Sequence, residues 1–133
     1  MIKYLFLWLI NCFLLFAQLT PLQRFQDINA LNSVIVVGDK IIVATDQGKL
    51  LTSSDNGNNW DELAANVPSG INKLTNAGSS VLFGCGDNGN VIRSTDNGLS
   101  WQKLTTNTSS DLIAITSINS NTLVACYFGD NLF

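Results

Sequence analysis

Residues 53–60 read Ser-Ser-Asp-Asn-Gly-Asn-Asn-Trp, and residues 94–101 read Ser-Thr-Asp-Asn-Gly-Leu-Ser-Trp. The shared pattern is S-x-D-N-G-x-x-W, repeated at an offset of 41 residues. The agreement spreads outward from both copies at the same offset. Asp46-Gln47-Gly48-Lys49-Leu50-Leu51 aligns with Asp87-Asn88-Gly89-Asn90-Val91-Ile92, and Leu63 aligns with Leu104. Ile41-Ile42-Val43-Ala44 aligns with Leu82-Phe83-Gly84-Cys85 and again with Leu123-Val124-Ala125-Cys126, where a third copy begins. A fixed period of this size marks a repeated supersecondary unit.

Each unit reads as β-structure. Short apolar runs at 34–37 and 41–43 are separated by Gly38-Asp39-Lys40; Asp46-Gln47-Gly48 is a second turn signal, Lys49 to Ser53 reads as a strand, and Asp55-Asn56-Gly57 is a third turn. Asx-Gly pairs favour tight hairpins because both residue types tolerate positive φ. The spacing predicts strands near 29–37, 40–45, 48–53 and 59–64, then 71–76, 79–85, 90–94 and 100–105, then 112–118 and 121–127. A four-stranded meander repeated every 40–45 residues or so is a propeller blade. The expected fold is therefore all-β, with about 2.5–3 blades of antiparallel meanders. Blade one is expected over about 27–66, blade two over about 70–107, and an incomplete blade three over about 111–133. No helical period follows the N-terminal run.

The chain begins with Lys3 and an apolar run over residues 4–17, interrupted by Asn11. Charge, apolar core and small residue form the layout of a secretory signal peptide, here residues 1–18 with cleavage near Ala17-Gln18. The run is shorter than a bilayer-spanning helix needs. Asn11 before Cys12 is a poor context for lipid attachment. The expected address is secreted, periplasmic or cell-surface through the Sec pathway, with no membrane span after cleavage and the partial propeller over 19–133.

Composition narrows the function. The chain has 133 residues, 46% of them apolar, and a net charge of −3; removal of Lys3 with the leader makes it −4. Nucleic acid is a poor partner for such a surface. There is no histidine, so Ser–His and Cys–His nucleophile pairs and a His general base are excluded. Cys85 and Cys126 hold equivalent places in neighbouring units, too far apart for a disulfide, and are expected as small buried apolar residues.

The box is expected to act as a clasp. Asp55 and Asp96 cap their own hairpins, Gly57 and Gly98 supply the left-handed position, Ser53 and Ser94 add hydroxyl bonds, and Trp60 and Trp101 lay a ring across the turn. A calcium loop counted back from each glycine would begin at Thr52 and Arg93, and arginine is not a ligand. No catalytic, metal or cofactor residues are assigned, and no cofactor is expected.

This pattern resembles the Asp-box, or BNR repeat, of sialidase-like, sortilin-like and photosystem-assembly-factor-like β-propellers. The resemblance covers nearly the whole chain after the leader. It implies that the box lies between the third and fourth strands of a blade, at the rim, as a folding element. Sialidases of this group use three arginines and a tyrosine–carboxylate pair. After the leader the chain has Arg24 and Arg93, its one glutamate is Glu62, and no Arg-Ile-Pro segment is present. The Asn107-Thr108-Ser109 sequon falls in a link between blades.

The expected function is a non-catalytic, exported binding or scaffold module for a protein or glycan ligand. The alternative is the N-terminal part of a sialidase-like glycoside hydrolase whose catalytic residues lie in missing blades. The hairpins Gly38-Asp39-Lys40 and Gly78-Ser79-Ser80 and the links after each fourth strand are the candidate contact points. About 115 residues divided by the period leave the ring incomplete. Either the chain is an N-terminal piece of a longer protein, or copies associate through open blade edges.

Overall fold

The computed structural model describes residues 30–65 and 67–127. The expected leader, the start of the expected domain and residues 128–133 lie outside the described residues. Ten strands run in chain order: β1 (Leu31–Val37), β2 (Lys40–Thr45), β3 (Leu50–Ser53), β4 (Asp61–Leu63), β5 (Ile71–Asn76), β6 (Leu82–Gly86), β7 (Val91–Ser94), β8 (Gln102–Leu104), β9 (Leu112–Asn119) and β10 (Thr122–Tyr127). They form two four-stranded sheets, β1-β2-β3-β4 and β5-β6-β7-β8, and a two-stranded sheet, β9-β10. Every pairing is antiparallel between consecutive strands. This is the meander of a propeller blade, present twice with half of a third: an all-β, partial β-propeller.

The fourth strands are shorter than the sequence suggests. Residues 58–60 and 99–101 belong to the preceding turn, so β4 and β8 begin only at Asp61 and Gln102. The period also slips by one residue in the innermost strands. Val34 pairs with Val43, but Leu74 pairs with Gly84. The offset is 41 on β6 and 40 on β5. The β1–β2 turn is the two-residue Gly38-Asp39, whereas Ala77 N–H bonds Val81 O across a three-residue Gly78-Ser79-Ser80 loop. Those three residues have φ of 86°, 44° and 74°.

Strand alternation gives each sheet two apolar faces, and the blades pack face to face. The first interblade core joins Ile42, Ala44 and Leu50 of blade one to Leu74, Leu82, Ile92 and Trp101 of blade two. The second joins Phe83, Cys85 and Val91 of blade two to Leu112 and Ile115 of blade three. Burial of each valine, leucine, isoleucine or phenylalanine side chain among them removes apolar surface from water and contributes about 1.5–3 kcal/mol.

Polar bonds fix the angular register along the inner strands. Asn32 Nδ2 donates to Ile71 O at 3.1 Å, and Asn72 Nδ2 donates to Leu112 O at 3.1 Å. Leu74 N–H donates to Ser33 Oγ, and Ser117 Oγ donates to Asn76 O, both at 3.1 Å. Arg93 crosses the second joint: its guanidinium lies 5.7 Å from the Phe83 ring centroid and donates to Ser120 O at 3.5 Å.

Cys85 and Cys126 are free thiols. Cys85 is buried, and desolvation, with a smaller contribution from nearby Cys126, pushes its thiol up to about 12. Cys126 is only half-buried, because it lies on the face of blade three turned away from blade two.

Candidate functional site

A meander places its turns at alternate ends of the sheet. The first hairpin and the β3–β4 turn share one end, and the β2–β3 turn and the link to the next blade share the other. The sequence-derived contact points therefore separate. Gly38-Asp39-Lys40 and Gly78-Ser79-Ser80 lie with the DNG turns, and Asn97 N–H donates to Ser80 O at 3.0 Å. The links lie at the opposite end.

At the first end, the two DNG turns are built alike. Ser53 Oγ donates to Asp55 Oδ1 at 2.8 Å and accepts from Gly57 N–H at 2.8 Å. Ser94 Oγ donates to Asp96 Oδ1 at 2.7 Å and accepts from Gly98 N–H at 2.8 Å. Both serines are 1% exposed. The glycine N–H thus goes to the serine, and the aspartate pairs with the residue four places further on. Asp55 accepts from the backbone and side-chain N–H groups of Asn59, at 2.9 and 2.6 Å. Asp96 accepts from Ser100 N–H at 2.9 Å and from Ser100 Oγ.

These bonds favour the charged carboxylate. The Ser100 hydroxyl and backbone N–H lower Asp96 to about 2, and the Asn59 backbone and amide hold Asp55 below its ordinary value. Left-handed backbone falls on two successive residues of each turn: Asn56 and Gly57 at φ 61° and 86°, Asn97 and Gly98 at 57° and 80°. The indole Nε1 of Trp60 donates to Gly57 O at 2.9 Å, and that of Trp101 to Gly98 O at 3.1 Å. Asn59 and Ser100 are the residues that sequence reasoning left out. Their signal was present, since both carry a short polar side chain four residues after the aspartate.

At the opposite end, the link between blades two and three borders three clefts. One of about 410 Å³ is lined by Asn88, Gly89, Lys103 and residues 104–106 and 108. A second, about 470 Å³, is lined by Asn88, Ser109, Ser110, Asp111 and Tyr127. A third, about 270 Å³, lies over Val91, Leu112 and Ala125. A single 3-10 turn, Asp87–Gly89, shapes this end. Asn88 N–H donates to Asp111 Oδ1 at 2.8 Å, and Gly89 N–H donates to Ser110 O at 2.9 Å. Asn72 Nδ2 donates to Asp87 Oδ1 at 2.8 Å.

The chemistry of this end is hydroxyl, amide, carboxylate, ammonium and phenol around an apolar floor, a set suited to hydrogen-bonded recognition. Asn107 of the sequon is exposed here. Among the described residues, no group of three or more His, Cys, Asp or Glu is gathered to hold a metal, and no helix is long and apolar enough to cross a membrane.

Comparisons with known proteins agree with the architecture. The family described as DUF6242 beta propeller domain matches residues 16–130. No curated protein matches the chain. Among solved structures, YCF48 bound to D1 peptide is similar at 21% identity and a TM-score of 0.57, over 80% of this chain and 35% of that one. YCF48 from Cyanidioschyzon merolae is similar at 15% identity and a TM-score of 0.67, over 80% and 37%. An ancestral GH74 enzyme is similar at 22% identity and a TM-score of 0.53, over 74% and 16%. These likenesses show the fold, and the matched part spans about a third of each YCF48 chain.

Proposed function

We propose, on the premise that this chain belongs to the family of DUF6242 beta propeller domains, that it is an exported, non-catalytic module that binds or scaffolds another molecule. The observation that carries this reading is the commitment of the acids in its most specific motif. Asp55 and Asp96 each accept three hydrogen bonds inside their own turns and are held in the charged form. A carboxylate so held is a poor proton donor and has little capacity left for a ligand. Ser53, Asp55, Gly57 and Trp60, with Ser94, Asp96, Gly98 and Trp101, are structural residues in this reading, and the pattern is an Asp-box. Export rests on the leader layout of residues 1–18.

Recognition then falls to the link end, where Asn88, Ser109, Ser110, Asp111 and Tyr127 line one cleft. A peptide is the favoured ligand class. YCF48, whose structure this chain's fold is similar to, has been solved bound to D1 peptide, and extended peptide offers the N–H and C=O groups that such a cleft can pair. The test is binding of the purified full-length protein to immobilised peptides and glycans, with glycoside turnover followed in parallel. Saturable peptide binding without turnover, weakened at least tenfold by Asp111→Asn, which keeps an oxygen to accept the Asn88 N–H, at unchanged melting temperature, is the expected result. Release of sugar would overturn it in favour of the glycoside hydrolase alternative.

A further inference from the structure

We infer that the two clefts flanking Asn88 form one charge-divided site, in which Asp111 takes a lysine or arginine side chain of the bound peptide and Lys103 takes an acidic one. This rests on the peptide reading above and adds to it which peptides bind.

Asn88 lines both clefts. Asp111 lines the cleft of about 470 Å³, and Lys103 lines the one of about 410 Å³. The first blade joint holds the same positions without either arrangement. The repeat places Gly70 where Asp111 stands. A Cβ on Gly70 would lie 2.7 Å from Asp87 Oδ2 and 2.8 Å from Asp46 O, which leaves no room for a side chain. The neighbouring turn there caps itself, because Gln47 N–H donates to Thr45 Oγ1 at 3.4 Å.

In blade two the counterpart of Thr45 is Gly86, which has no hydroxyl. Asn88 N–H, the counterpart of Gln47 N–H, donates to Asp111 Oδ1 at 2.8 Å instead. That bond fixes the carboxylate at the cleft and occupies one oxygen. It does not call for a charge, since an amide oxygen also accepts. Among the described residues, no donor reaches Asp111 Oδ2 and no cation pairs with it.

Lys103 is left over in a similar way. Its blade-one counterpart is Glu62, which pairs with Lys49 at 3.1 Å. The position of Lys49 is taken in blade two by Asn90, which turns inward to Ser69 Oγ. Lys103 is exposed and, among the described residues, has no carboxylate to pair with. Two charges of opposite sign, neither spent on the fold, therefore open onto adjoining clefts. A peptide with both signs meets each charge with its complement, and a peptide with one sign meets repulsion at one of the two clefts.

Fluorescence anisotropy with the purified full-length protein provides the test. An uncharged extended peptide is the host. Lysine, arginine or glutamate is introduced into it singly, and a basic and an acidic residue together at varied spacing. The peptide with both charges is expected to bind about tenfold tighter than the host. Asp111→Asn keeps an oxygen for the Asn88 N–H and should abolish the gain from lysine or arginine while leaving the gain from glutamate. Lys103→Gln should do the reverse, and Lys103→Glu should turn the preference toward peptides with two basic residues. Equal affinity for charged and uncharged peptides overturns the inference and leaves the peptide reading standing. A charge preference that both variants retain at unchanged melting temperature overturns it as well. Failure of every peptide to bind removes the peptide reading itself, and this inference with it.

Discussion

Trp60 and Trp101 occupy the same step of the same turn in neighbouring sheets, and both donate their indole N–H to the glycine carbonyl three residues back. Trp101 is 3% exposed and Trp60 is half-buried. The local bond is the same, and the burial is not. Trp101 packs in a core with Ile42, Ala44 and Leu50 of the preceding blade. The turn is specified by eight residues of sequence, but the weight its tryptophan bears is set by the neighbouring sheet. The largest effect that separates the two blades should come from this contrast. Trp101→Ala removes a buried indole and opens a cavity between blades, at a cost of about 4 kcal/mol. Trp60→Ala should cost about half as much, because less of the ring is packed. Chemical denaturation of both variants checks the ratio, and equal losses would break the comparison.

Gly98 sharpens it. Its φ is +80°, and a Cβ there would run into Ile42 Cδ1 of blade one. Gly98→Ala should cost about 3 kcal/mol, combining left-handed strain with displacement of a core side chain. The double variant with Ile42→Val should recover part of this loss, since the clashing methyl is gone. A purely local backbone penalty would be unchanged by Ile42→Val.

How much of the molecule was legible in its sequence depended on whether a feature is local. The hairpins at Asn56-Gly57, Asn88-Gly89 and Asn97-Gly98 were readable because Asn-Gly favours positive φ at both residues. Nine strands begin within two residues of their expected start, and only β6 begins three residues late, after the extra loop residue. The one-residue slip between β1 and β5 was hidden. Three consecutive left-handed residues, two of them serine, have no strong sequence signature. The bond pattern inside the DNG turn was half legible. Aspartate was expected to cap the turn and serine to add a hydroxyl bond, but which N–H each accepts was not readable: the serine takes that of the glycine, and the aspartate that of the residue four places on. Interblade pairs such as Asn72 to Leu112 O were invisible, because asparagine in this chain reads first as a turn residue. The link end was recognisable as a candidate, but its partnership of Asn88 with Asp111 depends on how two blades meet.

Asp96 gives a smaller effect with a defined direction. Its folded value, about 2, lies below the ordinary carboxylate value. Its contribution is full above about pH 4 and is lost as pH falls toward 2. Asp96→Asn should flatten that part of the stability–pH curve. Asp55→Asn should act in the same sense, since Asn59 and Ser53 depress Asp55 as well. Melting temperatures tracked from neutral pH downward read both. A variant curve that stays parallel to wild type through this window would show that neither carboxylate depends on its turn.

The smallest difference between the blades is an ion pair. Lys49 Nζ lies 3.1 Å from Glu62 Oε2 in blade one, with the side chains 36% and 55% exposed. The equivalent residues of blade two are Asn90 and Lys103. Asn90 turns inward, is 2% exposed, and donates to Ser69 Oγ at 2.7 Å. One position thus serves the solvent face in one blade and anchors the interblade link in the next. An exposed pair is screened by water and pays side-chain entropy to hold its geometry, so Lys49→Ala should cost at most about 0.5 kcal/mol, an effect that vanishes in high salt. Asn90→Ala leaves the Ser69 hydroxyl without its buried donor and should cost about 1–2 kcal/mol, independent of salt. Denaturation of both variants at low and high ionic strength separates the two roles. A salt-sensitive loss at Asn90, or a loss at Lys49 as large as the one expected at Asn90, would reverse the assignment.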